Sequence, residues 1–208
     1  MRSELVTDEN CRLWIDIGLT SVGIGGESGS DRILKQLKGP GSSVIRNQQA
    51  LTTLSRNGIS AGTGIIFGAP GETENDIKET YEWLLMNYKN NTIARHVINM
   101  LTPYPGTEVW REASKSGLVG GNDFRWSQLK HQTMTYRNEE THPGRKGWFQ
   151  LRRQDKTVYL NESVVPQETL FQMIDYYESK IQTCSPAQIY RGIRNRTEVI
   201  VRKHILRR

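Results

Sequence analysis

The sequence predicts a parallel α/β fold, and three observations predict it. Short apolar or glycine-rich runs alternate with segments of helical periodicity. Each run ends in a Gly- or Pro-rich loop, and each loop delivers a capping residue into a helical segment. Strand, crossover helix and strand in repetition imply parallel βαβ units.

Taken in order, Thr7 or Asp8 caps a first helix carrying Leu13, Trp14 and Ile17, which Gly18 ends. Thr20 to Gly25 reads as a short strand of small residues. Ser30 or Asp31 then caps a second helix with Ile33, Leu34 and Leu37, stopped by Gly39-Pro40-Gly41. Ser43 opens a third helix through Val44, Leu51 and Leu54, closing at Asn57-Gly58. Ile59 to Phe67 is the most strand-like run in the chain. Thr73 caps a fourth helix with Ile77, Tyr81, Leu84 and Leu85 on one stripe. His96 to Leu101 forms a further strand, and Thr107 to Ser116 a helix ending at Gly117. Beyond it, residues 118 to about 160 read as polar and irregular, with Thr157 to Leu160 as a short strand. A helix begins at Ser163 or Pro166 and runs through Leu170, Ile174 and Tyr177.

The chain has 208 residues, of which 36% are hydrophobic and 24% charged, as in an ordinary globular protein. No apolar run is long enough for a membrane span. The start, Met1-Arg2-Ser3-Glu4, has no export signal, and Cys11 and Cys184 stand far apart, so a cytoplasmic protein with reduced thiols is expected. The net charge of +6 resides in the tail, where Arg191, Arg194, Arg196, Arg202, Lys203, Arg207 and Arg208 face only Glu198. The tail, with Ile189, Ile193, Ile200 and Leu206 among these arginines, reads as a basic amphipathic helix weakened by Gly192. Packing on its own body with snorkelling arginines outweighs a nucleic-acid or membrane-surface role, because no RNA-binding motif accompanies it.

Ligands of parallel sheets gather at the carboxyl ends of the strands. Three loops lie there: Gly25 to Ser30, Gly68 to Glu72, and Thr102 to Thr107. A P-loop would place Lys-Ser or Lys-Thr at the helix start, where this chain has Gly71-Glu72-Thr73. Neither Gly23-x-Gly25 nor Gly62-x-Gly64 completes a dinucleotide fingerprint, since Ser28 and Phe67 stand at the third glycine position. The histidines His96, His131, His142 and His204 have no metal-ligand spacing, and neither a Cys-x-x-Cys pair nor a Gly-x-Ser-x-Gly elbow occurs.

Together the three loops resemble the second half of the radical S-adenosylmethionine (SAM) barrel, particularly the branch that often carries a cobalamin-binding domain. Gly25 to Lys35 reads Gly-Gly-Glu-Ser-Gly-Ser-Asp-Arg-Ile-Leu-Lys, matching the end of that family's fourth strand. Gly64, Ile66, Gly68, Pro70, Gly71 and Glu72 match its fifth, and Thr102-Pro103-Tyr104-Pro105-Gly106-Thr107 its sixth. The resemblance covers residues 1 to about 117. It implies a partial (β/α) TIM-like barrel of about three parallel strands with helices, plus an irregular and helical C-terminal extension. The expected division is a barrel half over 1–117 and a variable extension over 118–208.

For cofactor binding the resemblance implies a partial SAM site. Gly64 and Gly68 would let backbone approach the adenine, beside the apolar edge of Ile66. Glu27, Ser28 and Gly29 would meet the ribose hydroxyls or methionyl amine, Arg32 the methionyl carboxylate, and Leu101, Thr102 and Tyr104 would wall the adenine side. Against these stand plainer readings: Gly26, Gly29, Gly71 and Gly106 as turn glycines, Asp31 as a helix cap, Glu72 as a first-turn helix residue, and Arg32 as a solvated one. The family's Cys-x-x-x-Cys-x-x-Cys loop for a 4Fe-4S cluster is absent, so no metal ligand and no catalytic residue is assigned to this chain. In an intact relative, the cluster, possessed together with SAM and in some members cobalamin, generates a 5′-deoxyadenosyl radical. The chain therefore reads as a truncated or split product that would assemble with an N-terminal radical SAM half or a cobalamin-binding domain. The alternative is a non-catalytic, degenerate module.

Overall fold

In the computed structural model, residues 1–117, 119–122, 124, 133–134 and 161–183 are described. Three parallel strands form the sheet: β1 (Ser21–Glu27), β2 (Ser60–Phe67) and β3 (Arg95–Met100). A two-residue strand, β4 (Thr133–Met134), adds antiparallel to β3, with Ile98 opposite Met134 and Asn99 opposite Thr133. The expected α/β arc is therefore present. β4 was not expected, because it lies in the stretch read as irregular. The tail from 186 and the short strand expected at 157–160 lie outside the described residues.

Six α-helices accompany the strands among the described residues: α1 (Asp8–Asp16), α2 (Asp31–Lys38), α3 (Val44–Arg56), α4 (Glu74–Lys89), α5 (Glu108–Lys115) and α6 (Gln167–Thr183). The expected caps are in place on three of them, and Thr107 caps α5 in the same way. Thr7, Ser43, Thr73 and Thr107 each accept a backbone N–H from the first turn. Thr73 and Asp76 complete a capping box on α4. On α2 the chemistry differs. Ser30 occupies the cap position but gives its hydroxyl to Asp76, while Asp31 accepts the Val44 amide at 2.7 Å and so caps α3 instead.

The alternation of strand residues sets the two faces of the sheet. Val22 and Ile24, Ala61, Ile65 and Phe67, Ile98 and Met100 share one core with Leu51 and Leu54 of α3, Ile77, Tyr81 and Leu84 of α4, and Leu170 and Ile174 of α6. Phe67, Tyr81 and Tyr177 stack in series at 5.4 and 4.7 Å, tying strand, crossover helix and C-terminal helix together. The opposite face carries almost no side chains on β1 and β2. Register sets Gly23 beside Gly62 and Gly25 beside Gly64.

Two glycines expected in turns act otherwise. A Cβ on Gly26 would lie 2.2 Å from Thr63 Oγ1 and 3.2 Å from the Trp83 ring, and one on Gly29 2.6 Å from Thr80 Cα. Neither has positive φ; both let the first loop press onto α4. Gly71 (φ 66°) and Gly106 (φ 87°) are turn glycines as expected. At the outer edge of β1, the Met1 ammonium donates to Gly23 O at 2.5 Å and Gly25 N donates to Met1 O at 3.4 Å. Met1 thus makes the strand-like contacts on that edge, and Ser3–Leu5 is a 3-10 turn.

Candidate functional site

On the face of β1 and β2 away from the helices, Gly23 and Gly64 form an open floor, while Arg95 lies over Gly62, where a Cβ would sit 3.0 Å from its Cγ. Nothing lies within 4 Å of a Cβ placed on Gly23, and only Asn99 Nδ2, at 3.9 Å, approaches one placed on Gly64. Three groups of side chains bound this floor. Ile66 and Leu101 join Leu37 of α2, Val109 and Trp110 of α5, and Phe124 in a second apolar cluster. Glu27 and Lys38 form a charged edge over β1. Asn99, in register with Ile66, stands on β3.

Glu27 is one of two described non-glycine residues with positive φ, at 58°. Ser28 N donates to Gly26 O at 2.8 Å, so Glu27 is the centre of a γ-turn, and the β1–β2 register slips there. Its carboxylate folds back over Gly25, where a Cβ would sit 2.2 Å from Glu27 Oε1 and 3.4 Å from Lys38 Nζ. Burial pushes the Glu27 carboxyl up, while the ammonium groups of Lys38 and Met1 oppose the shift. Lys38 donates to Gly25 O at 2.7 Å, leaving two of its three protons for another acceptor or water.

The remaining residues expected at the site divide between floor and frame. Ser28 is buried, and its hydroxyl faces Thr80 Oγ1 at 3.1 Å, on α4. Gly29 donates its amide to the same Thr80 oxygen at 3.0 Å. Arg32 pairs with Asp76 and donates to Gly71 O at 2.9 Å, its side chain 54% exposed. Asp76 collects further bonds from Ser30 Oγ (2.6 Å), Thr73 N (2.9 Å) and Thr73 Oγ1 (2.6 Å). Burial alone would raise its carboxyl, but these bonds prevail and hold it at about 2. Gly68 has φ 88°, and its amide is held by Glu72 Oε2 at 2.8 Å. Thr102 donates to Met100 O at 3.1 Å, and Tyr104 is exposed.

Glu72 is not a first-turn helix residue. It precedes the Thr73 cap, is fully buried, and its Oε1 has no hydrogen-bond partner among the described residues. Burial pushes its carboxyl up to about 7, against the pull of the Gly68 and Ala69 amides. Segment 162–164 lies along the same loop: Gly71 N donates to Glu162 O, Glu162 N to Gly68 O and Val164 N to Glu72 O, each at 3.0 Å.

Lys38, Leu37 and Asn99 were not singled out as site residues from the sequence. Asn99 could have been, as an asparagine alternating with Val97 and Leu101 in the apolar end of its strand. Lys38 carried no signal, because its position depends on how α2 crosses the strand ends. No group of His, Cys, Asp and Glu among the described residues could hold a metal ion, and Cys11 is buried, with its thiol pushed up by that burial. No described helix is long and apolar enough to cross a membrane.

Comparison with known proteins agrees with the loop motifs. Residues 2–84 match the family described as the radical SAM superfamily. An uncharacterized methyltransferase of Pyrococcus horikoshii is 33% identical over 105 residues, which are 49% of this chain and 21% of that protein. The chain thus spans about a fifth of that curated relative. Two solved structures are also similar. One is the radical SAM methyltransferase TsrM from Kitasatospora setae, solved with cobalamin and a 4Fe-4S cluster (TM-score 0.48, 16% identity, 58% of this chain and 24% of that one). The other is Elp3 from the archaeon Methanocaldococcus infernus, lacking its N-terminal residues 1–46 (TM-score 0.48, 19% identity, 86% and 41%).

Proposed function

We propose, on the premise that residues 2–84 belong to the radical SAM superfamily, that this chain supplies the adenine- and ribose-facing side of a SAM site. The observation that carries the reading is the open glycine floor bounded by an apolar cluster on one side and the Glu27–Lys38 edge on the other. A flat heteroaromatic ring fits a surface without Cβ atoms, and Ile66 and Leu101 offer it apolar contact. Glu27 would accept from ribose hydroxyls, and the free protons of Lys38 would meet a carboxylate. Gly68, Thr102 and Tyr104 would close the adenine side. Ser28 and Gly29 serve as frame, engaged on α4, whereas Arg32 binds Asp76 and Gly71 O through Nη2 and keeps an exposed guanidinium edge that would meet the methionyl carboxylate.

A 4Fe-4S cluster does not fit this sequence: two isolated cysteines cannot form the Cys-x-x-x-Cys-x-x-Cys loop. In this reading the cluster, and any cobalamin, belongs to an N-terminal radical SAM half or a cobalamin-binding domain that completes the site. Residues 1–117 are then the SAM-facing half and 118–208 an extension. The missing cysteines also favour a second reading, a non-catalytic module that binds SAM or only assembles with another chain.

Titrating SAM and S-adenosylhomocysteine calorimetrically into the purified chain, beside Gly64→Val, tests the site. Saturable binding that the variant abolishes is expected. Equal heats for both proteins would overturn the reading.

A further inference from the structure

The strained turn at Glu27 is held from outside its own loop, and one hydroxyl does most of the holding. Thr80 is fully buried on α4, one turn beyond Asp76. Its single proton goes to Asp76 O at 2.9 Å. The Ser28 hydroxyl, 3.1 Å away, must therefore donate to Thr80 Oγ1, which also accepts the Gly29 amide. Ser28 Oγ in turn accepts the Ser30 amide at 3.0 Å. On the other side of the turn, Gly26 O accepts from both Ser28 N and Asn47 Nδ2. The hydroxyl of Ser28 and the amides of Ser28, Gly29 and Ser30 are thus all engaged, and the bonds of Gly29, Ser30 and the Ser28 hydroxyl run through Thr80 or the serine it fixes. The bare Cα of Gly29 is what lets the loop come this close.

A non-glycine residue at φ 58° is costly and persists only where its surroundings impose it. We infer that Thr80 is a positioning residue of the ligand site: its hydroxyl sets the γ-turn that folds the Glu27 carboxylate over Gly25 beside Lys38. Thr80 touches no part of the floor. It acts through Glu27, and so decides whether hydroxyl groups of a bound nucleoside find their acceptor. This rests on the proposed SAM site for its ligand, but not for its geometry.

Two measurements on the full chain separate the two claims. The first is the titration of the Glu27 carboxyl, followed by carbon-detected NMR in wild type, Thr80→Val and Thr80→Ser. In Thr80→Val the Ser28 hydroxyl and Gly29 amide lose their acceptor, and the carboxyl is expected to swing outward and titrate lower. Thr80→Ser, which keeps the oxygen, is expected to titrate as wild type does. The second is SAM affinity, expected to fall about tenfold in Thr80→Val and recover in Thr80→Ser. Should Thr80→Val not fold, Ser28→Ala, which removes both the donor to Thr80 and the acceptor of the Ser30 amide, is read the same way. A wild-type Glu27 titration in the folded variant overturns the positioning role. A shifted titration with no SAM uptake by wild type overturns the SAM reading and leaves the positioning role standing.

Discussion

His96 on β3 and Glu178 on α6 meet at 2.9 Å (Nε2 to Oε1), with side chains only 5% and 2% exposed. Tyr88 of α4 reaches the other ring nitrogen at 2.7 Å, so a strand, a crossover helix and the C-terminal helix share one buried polar relay. A neutral ring satisfies it fully, accepting from Tyr88 at Nδ1 and donating to Glu178 from Nε2.

Removing one member strands the others. His96→Ala leaves the Glu178 carboxylate buried without its donor, and a loss of about 3–5 kcal/mol is expected in urea unfolding. A double-mutant cycle with Glu178→Gln should give a coupling of about 1–3 kcal/mol. A coupling near zero would mean that the pair contributes nothing to holding α6.

Glu72 makes stability fall with rising pH. Its folded carboxyl titrates at about 7, above its ordinary 4.5. Its contribution is therefore complete below pH 4.5 and lost as pH rises through 7, a change of about 3 kcal/mol. Glu72→Gln, whose amide oxygen can still accept from Gly68, should flatten that slope. Denaturant midpoints at pH 5 and pH 8 measure it, and an unchanged slope in the variant would refute the assignment.

Asp76 acts in the opposite direction. With its carboxyl at about 2 against 3.8, it stabilises the fold above pH 3.8 and loses that effect as pH falls through 2. The expected size is about 2 kcal/mol, read as an acid limb of unfolding that Asp76→Asn diminishes. Because Arg32, Ser30 and Thr73 all converge on this carboxylate, the same variant should loosen both loops together.

The glycines divide into two classes by experiment. Gly26→Ala drives a methyl to within 2.2 Å of Thr63 Oγ1, a stiff side chain on the neighbouring strand, and should cost about 1–3 kcal/mol. Gly64→Val meets only Asn99 and should leave the melting temperature unchanged or raised while blocking SAM. Equal destabilisation by both would mean that the floor is packed rather than open.

Anaerobic reconstitution with iron and sulfide is expected to yield no stoichiometric cluster absorbance from this chain alone. A full 4Fe-4S complement would overturn the assignment of the cluster to another segment.

The strands and helices were legible because glycine, proline and capping residues punctuate them locally: Thr73, Asn57-Gly58 and Gly68-Ala69-Pro70-Gly71 each state a boundary. The residues of the proposed floor, Gly64, Ile66 and Gly68, also lie in motifs that the sequence displays. The frame was not legible. Arg32 and Asp76 stand 44 residues apart, and Ser28 and Thr80 stand 52 apart. No spacing rule links such pairs, so a hydroxyl or guanidinium that serves the scaffold looks the same in sequence as one that serves a ligand. β4 was hidden for another reason. Two residues pair with β3 because its edge is available, not because Thr133 and Met134 favour a strand.

The relay at His96 also bears on how the chain matures during synthesis. Its partner lies 82 residues downstream, and the segment that runs along the Glu72 loop is more distant still. A nascent chain carrying β1, β2, β3 and α4 would hold an imidazole answered by Tyr88 on one side only, and an unsealed loop, until α6 has left the ribosome. Docking of that helix would complete the relay, and before it the half-built sheet would be exposed to chaperones or to strand exchange with a neighbour.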